Sequence, residues 1–297
     1  MKYFLVTLFL LIAYFNSNAA ALSPCCYNSN CKQMVSDTDT VFRKRSINVG
    51  VNYGSDVQFF GRTGPITYPY VSTDAIYNFK TGVFLYGSGL KVLGYNPLFD
   101  EIDLGAGYLF RASKSYTGTL SYTRFLFNKD AAYVIKSAST NDINFKNTFN
   151  WRIAKSSLIF DYLFGKENDY FVTVNTSKYI ETKWSIFDDK DFLSFNPTIS
   201  GIFGTQNFVG EYSSQFQFGF LINQNTDPED PARKKSPVYN NGRFNALNYS
   251  FKLPVAYNRP HYTFEVAYKY SIPVDVEGQL QNRREGFLYL TFYYVFF

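Results

Sequence analysis

The sequence predicts an all-β fold: a transmembrane antiparallel up-and-down β-barrel of about 14 strands, with 12 as the alternative count. Three observations lead there. Aromatic residues make up 20% of the chain, with 26 Tyr and 32 Phe, while charged residues make up 18%, against roughly 25% in soluble domains. The mean hydropathy is nonetheless only −0.19, and beyond the N-terminal stretch no apolar run approaches the roughly 20 residues a membrane helix needs. From Ser46 onward, segments of alternating character recur, separated by turns rich in Gly, Asn, Asp or Lys.

Alternation assigns each segment two faces. "SINVGVNYG" puts Ile47, Val49, Val51 and Tyr53 opposite Asn48 and Asn52. "DINFKNTFNWRI" sets Ile143, Phe145, Phe149 and Trp151 against Asn144, Lys146, Thr148, Asn150 and Arg152, and "SQFQFGFLIN" sets Phe216, Phe218, Phe220 and Ile222 against Gln215, Gln217 and Gly219. "HYTFEVAYKYSI" is the cleanest, with Tyr262, Phe264, Val266, Tyr268, Tyr270 and Ile272 opposing His261, Thr263, Glu265, Lys269 and Ser271. The strands so marked lie near 46–54, 71–79, 82–92, 101–110, 115–127, 142–153, 156–164, 169–175, 178–187, 192–204, 213–224, 244–256, 260–273 and 286–297. A soluble sandwich alternates too, but fills its shared core with Val, Ile and Leu. Apolar faces that are aromatic in nearly every segment fit girdles at two membrane interfaces.

An even count puts both barrel ends of the chain on one side. Connections on that side are short, at Lys80 and Thr81, at Ala154 and Lys155, and at "YNRP" from Tyr257, whereas 55–70, 128–141, 225–243 and 275–285 are long. Removing the hairpin at "NTSK" would give the count of 12.

Before the barrel, residues 1–21 have one Lys, an apolar stretch from Tyr3 to Phe15 and small residues at Ala19 to Ala21, the pattern of a secretory signal peptide. Residues 22–45 hold all three cysteines, Cys25, Cys26 and Cys31; in an oxidising compartment Cys25 or Cys26 pairs with Cys31. A zinc site would need a fourth ligand, and the single His, His261, is remote, so no metal is expected. The net charge of +5 is scattered along the chain, which suits solvated loops and barrel ends and not a nucleic-acid partner.

The chain stops on "GFLYLTFYYVFF", apolar on both faces. With its signal peptide, its repeated amphipathic strands and this ending, the chain resembles the outer-membrane β-barrels of Gram-negative bacteria. Their last strand closes on an aromatic residue and is recognised by the barrel-assembly machinery. The resemblance covers 46–297 as architecture and implies an outer-membrane location, both termini in the periplasm, contact with outer-membrane lipid, and an assembly signal at Tyr289, Tyr293, Val295 and Phe297.

If the apolar face meets lipid, the other lines the lumen. The lumen candidates are Asp74, Asp103, Lys146, Arg152, Asp161, Lys252, Glu265 and Lys269, with Lys80, Glu181 and Lys183 on the same face. Lys252 is expected near Glu265, and Lys146 a diagonal step from Asp161. Such groups either lock a narrow barrel or form a charged constriction. A barrel of this size lies between side-chain-filled and porin-wide, so the expected function is a narrow passive channel for small solutes, without cofactor. A closed barrel serving as a structural or surface-interaction module is the alternative. A channel for hydrophobic compounds is a further one, motivated by placing Phe292, Tyr294 and Phe296 inward. "GSDVQFFGRTGPITYPY", with Phe59 and Phe60, is expected to fold inward as a constriction or lid, the alternative being that 22–45, tied by its cysteines, serves as a periplasmic plug instead. An enzyme is not expected, since His261 is the one candidate base and sits beside an inner turn.

Overall fold

The computed structural model describes residues 45–297 except 95–96, 129–138, 188–189, 210–241 and 278–279. The signal peptide, the three cysteines and the expected strand at 213–224 therefore lie outside the described residues. Among the described residues, fourteen strand segments follow in order. They are β1 (Ser46–Gly54), β2 (Tyr70–Asn78), β3 (Val83–Val92), β4 (Glu101–Arg111), β5 (Tyr116–Phe127), β6 (Ser139–Asn150) and β7 (Lys155–Gly165). Then come β8 (Asp169–Ser177), β9 (Ile180–Glu181), β10 (Phe192–Phe195), β11 (Thr198–Gly204), β12 (Asn245–Asn258), β13 (Tyr262–Pro273) and β14 (Glu285–Phe296).

Each strand from β1 to β7 pairs antiparallel with the next, β8 pairs with β11, and β11 to β14 continue the series until β14 meets β1. That last pairing runs from Ile47 opposite Phe296 to Gly54 opposite Tyr289. Closure leaves no open edge, the condition for placing strands in hydrocarbon, where nothing else satisfies a backbone N–H or C=O. The ring has twelve positions, because β9 and β10 prolong its members. Ser177 faces Thr198 and Ile180 faces Phe195 in one unbroken register, and β12 carries β10 and β11 end to end, with Phe195 opposite Val255 and Thr198 opposite Lys252. Pro197 breaks the ladder because it has no N–H to give, yet its carbonyl still accepts the Lys178 N–H at 3.2 Å. The turn expected at "NTSK" is thus part of a straight strand.

Followed partner to partner, the register returns to β1 displaced by about 16 residues, which with twelve strands gives a tilt of about 45° and a backbone radius of about 12 Å.

The faces are inverted relative to a soluble protein. Val49, Val51, Ile102, Leu104, Phe251, Leu253, Phe264 and Val266 are exposed on the outside, while Asn52, Ser121, Thr123, Asn144, Ser250 and Thr291 are buried inside. No helix among the described residues is long and apolar enough to cross a membrane, and the strands present the apolar belt instead. Inward glycines let neighbouring rings lie flat on the wall. A Cβ on Gly50 would come 2.3 Å from the Tyr293 ring, and one on Gly105 would come 2.3 Å from the Tyr86 ring.

The last strand corrects one expectation. Phe287, Tyr289, Thr291 and Tyr293 are buried inside, whereas Leu288, Phe292 and Phe296 are exposed on the outer face. With both faces apolar, alternation alone could not choose between them. Pairing does, because Thr291 sits opposite Glu265 and Asn52, both on the inner wall.

Short connections at 79–82, 112–115, 151–154 and 259–261 lie at the end where β1 begins and β14 finishes. Segment 55–69 and the strand ends at Val92, Phe127, Gly204 and Pro273, each followed by a long stretch of sequence, lie at the other.

Candidate functional site

Segment 55–69, between β1 and β2, folds into the loop end of the barrel instead of leaving it. Arg62 anchors the segment and is fully buried. Its Nη1 donates to Leu247 O at 2.8 Å, and its Nη2 donates to Val274 O at 2.7 Å and Asp275 O at 3.1 Å. Leu247 is presented there by a bulge, where β12 carries one residue more than β11 between Ile202 and Phe203. Burial pulls the Arg62 guanidinium down to about 10, which still leaves it charged at neutral pH. Around it, Asn248 Nδ2 donates to Gly61 O at 3.0 Å, Lys269 Nζ to Gln58 Oε1 at 2.7 Å and Thr63 Oγ1 to Glu285 Oε2 at 2.9 Å.

The other half of the anchor is aromatic. Phe60 stacks on Phe171 of β8 with centroids 3.8 Å apart, and Phe59 meets Phe208 edge-on at 5.0 Å. Phe125, Leu163, Ile202, Val209, Leu247 and Leu280 complete an apolar plug in the mouth. Since β8 lies five strands around the ring from β1, the segment crosses the lumen. At its root Asp56 Oδ1 accepts the Val57 N–H at 2.9 Å and the Tyr68 N–H at 2.7 Å. Burial nonetheless pushes the Asp56 carboxyl up to about 6, with Glu285 adding to the rise and the two amides and Arg283 opposing it.

Below the plug lies a ring of charge. Asp74, Asp103 and Asp161 occupy inward positions on β2, β4 and β7, and Asp142 on β6 joins them. Glu265 and Lys269 are inward on β13, and Lys252 on β12. Asp74, Ser88 and Asp103 are direct register partners across β2, β3 and β4. With the stagger of the strands included, the four aspartates come within about 8 Å of one height, and Lys252 and Lys269 sit at that height across the ring. Lys252 lies directly opposite Lys269 in register but reaches along the wall to Glu265 at 3.6 Å. Tyr86, flat over Gly105, bonds through its hydroxyl to Thr123 between the aspartates.

Of the other candidates, one shares the height of Asp74. Lys146 faces inward on β6, half-buried and a diagonal step from Asp161. Arg152 is exposed in the 151–154 turn with φ of 66°, and Lys80, Glu181 and Lys183 are exposed near the same end, outside the ring. Lys80 and Arg152 fall two residues past the ends of β2 and β6, Glu181 is the last residue of β9, and Lys183 lies just beyond it. His261 is exposed at the 259–261 turn and stacks on Tyr294 at 6.2 Å. Asp142 was legible in "DINF", one residue before the outward Ile143. Arg62 and Gln58 were not, because no periodicity runs through a connection.

No family model matches the chain, and no curated protein matches it. Among solved structures it is similar to the KdgM porin, at 10% identity and a TM-score of 0.46 over 84% of this chain and 99% of that one. It is also similar to the NanC porin, at 9% identity and 0.42 over 84% and 99%. LpxR from Salmonella typhimurium gives 7% identity and 0.42 over 84% and 99%. At such identities no residue role carries over, and the lumen has to be read from its own side chains.

Proposed function

We propose that this protein is an outer-membrane β-barrel that passes small polar solutes passively along a narrow lumen, constricted at its outer mouth by segment 55–69. One observation supports this above the others. A closed barrel with apolar residues outside has a hydrophilic inner wall with charges of both signs at mid-height, and charged side chains gathered at one level of a lumen are what a selective constriction is built from. In this reading the ends with short turns and both barrel termini face the periplasm, the long segments face outward, and the last strand with Tyr289, Tyr293, Val295 and Phe297 is the signal for the barrel-assembly machinery.

Purified protein reconstituted in planar bilayers should give stepwise conductance, larger when Phe59 and Phe60 are both replaced by Ala. Silence from both proteins would exclude a channel. A second reading, a closed barrel displaying its outer segments, is favoured by the buried Arg62 anchor and the apolar plug, and that silence is what it expects. Cargo of hydrophobic character has lost its motivation, since Phe292 and Phe296 face outward.

A further inference from the structure

Three lumen carboxylates are held by neutral donors. Asn52 Nδ2 donates to Asp74 Oδ1 at 2.8 Å, Ser88 Oγ to Asp103 Oδ2 at 2.9 Å, and Asn144 Nδ2 to Asp161 Oδ1 at 2.6 Å. An amide or hydroxyl fixes the direction of a carboxylate without cancelling its charge. Among the described residues no Lys or Arg forms an ion pair with Asp103 or Asp161, the inward Lys146 included. Lys155 and Arg111 also face inward, but near the short-turn end.

Asn52 adds an independent observation. It is 8% exposed, and its amide NH₂ is committed to Asp74, so the orientation of the group is fixed by chemistry: only nitrogen can face a carboxylate. Its Oδ1 then has no hydrogen-bond partner and is buried beside the same arc. Oxygens that only accept are gathered on this side of the lumen, and a group that only donates is the chemistry they lack. Across the ring Lys252 is partly neutralised by Glu265, and Lys269 is held at 2.7 Å by the neutral Gln58. Among the described residues, four aspartates and Glu265 against Lys146, Lys252 and Lys269 still leave the ring negative, with the field running across the lumen. The aspartates are spread around the wall, and among the described residues no group of three or more His, Cys, Asp or Glu is placed to hold a metal ion.

We infer that this ring is the selecting step of the channel and that its preferred solutes bear an ammonium group. This rests on the channel reading above. The ammonium rides along the arc from Asp74 to Asp161, exchanging water for carboxylate and Asn52 oxygens. Lys269 on the far side repels it and so keeps it against the arc.

Planar-bilayer recordings of the full chain under a KCl gradient test this, with 1,4-diaminobutane as the amine probe. The wild type is expected to prefer K⁺ over Cl⁻ and to lose current when the diamine is added. The isosteric double variant Asp103→Asn/Asp161→Asn is expected to shift the reversal potential toward Cl⁻ and to weaken the diamine block roughly tenfold. Lys269→Gln is expected to deepen the K⁺ preference. A heat-shifted gel band identifies correctly folded barrels among the variants. Conductance that prefers Cl⁻, or a diamine block unchanged in the double variant, overturns the inference and leaves the channel standing. No conductance from the wild type or from Arg62→Met overturns the channel and this inference with it.

Discussion

Replacing Arg62 with Met will loosen segment 55–69 without unfolding the barrel. The arginine gives three charge-assisted bonds to carbonyls, each worth about 1.5–3 kcal/mol in isolation. Their sum overstates the loss, because Met also removes the cost of burying a charge, which is several kcal/mol. What decides the net effect is what stays unpaired. Leu247 O keeps the Val274 N–H at 2.8 Å, and Asp275 O keeps the Gln206 amide at 2.9 Å. Val274 O is the acceptor left with none of these bonds. One stripped carbonyl costs about 1–3 kcal/mol, or about 5- to 150-fold in the docking equilibrium of the segment. Proteinase K cleavage within 55–69 in detergent reads that equilibrium, since cutting tracks the open population when reclosing is fast. Single-channel recording supplies a second readout, with longer or larger openings. Cleavage and conductance identical to wild type would refute the claim that Arg62 holds the segment down. Because the segment sits inside an otherwise complete ring of strands, the thermal transition of the barrel should move far less than the cleavage rate.

Three more predictions follow from specific contacts. Gly105→Val puts a Cβ 2.3 Å from the Tyr86 ring and will cost about 1–3 kcal/mol, read as a lower midpoint for the heat-shifted band; adding Tyr86→Ala should recover most of it, and no recovery would mean that the ring is not the obstacle. Asp56, pushed up to about 6 from an ordinary 3.8, favours the docked segment when protonated; that stability is fully present below pH 3.8 and lost as pH rises through 6, so proteinase K should cut 55–69 faster at pH 7.5 than at pH 5. Asp56→Asn should abolish the difference, and an equal pH response in both proteins would dismiss Asp56 as its source. Deleting Phe297 should lower the amount of folded barrel in cells while leaving refolding into detergent intact; unchanged cellular yield would remove it from the assembly signal.

The legible part of this molecule was the part with a period. Alternation located β1, β6, β12 and β13 within a few residues, because a strand between lipid and lumen must change polarity at every step. It also named Asp74, Asp103, Asp161, Lys252, Glu265 and Lys269 as inward, and each is on the inner wall. Alternation fails where both faces are alike, and β14 is such a case: the parity of Phe292 and Tyr293 was decided by Thr291 pairing with Glu265 and Asn52. It failed again at "NTSK", where polar residues looked like a turn. The interruption opposite is instead Pro197, whose missing N–H breaks the ladder without turning the chain.

By itself, then, the amino-acid order determined a closed barrel with a polar interior, since solvent polarity on the two sides of a strand writes itself into consecutive residues. Tertiary structure alone decided that four aspartates from four strands share one height opposite Lys252 and Lys269, because height depends on strand tilt and stagger, which are properties of the closed ring. It alone decided as well that Arg62 reaches from the β1–β2 connection to the carbonyls of Leu247, Val274 and Asp275. Contacts between residues so far apart in the chain have no local signature; they exist only once the wall has closed and left a mouth for that segment to fill.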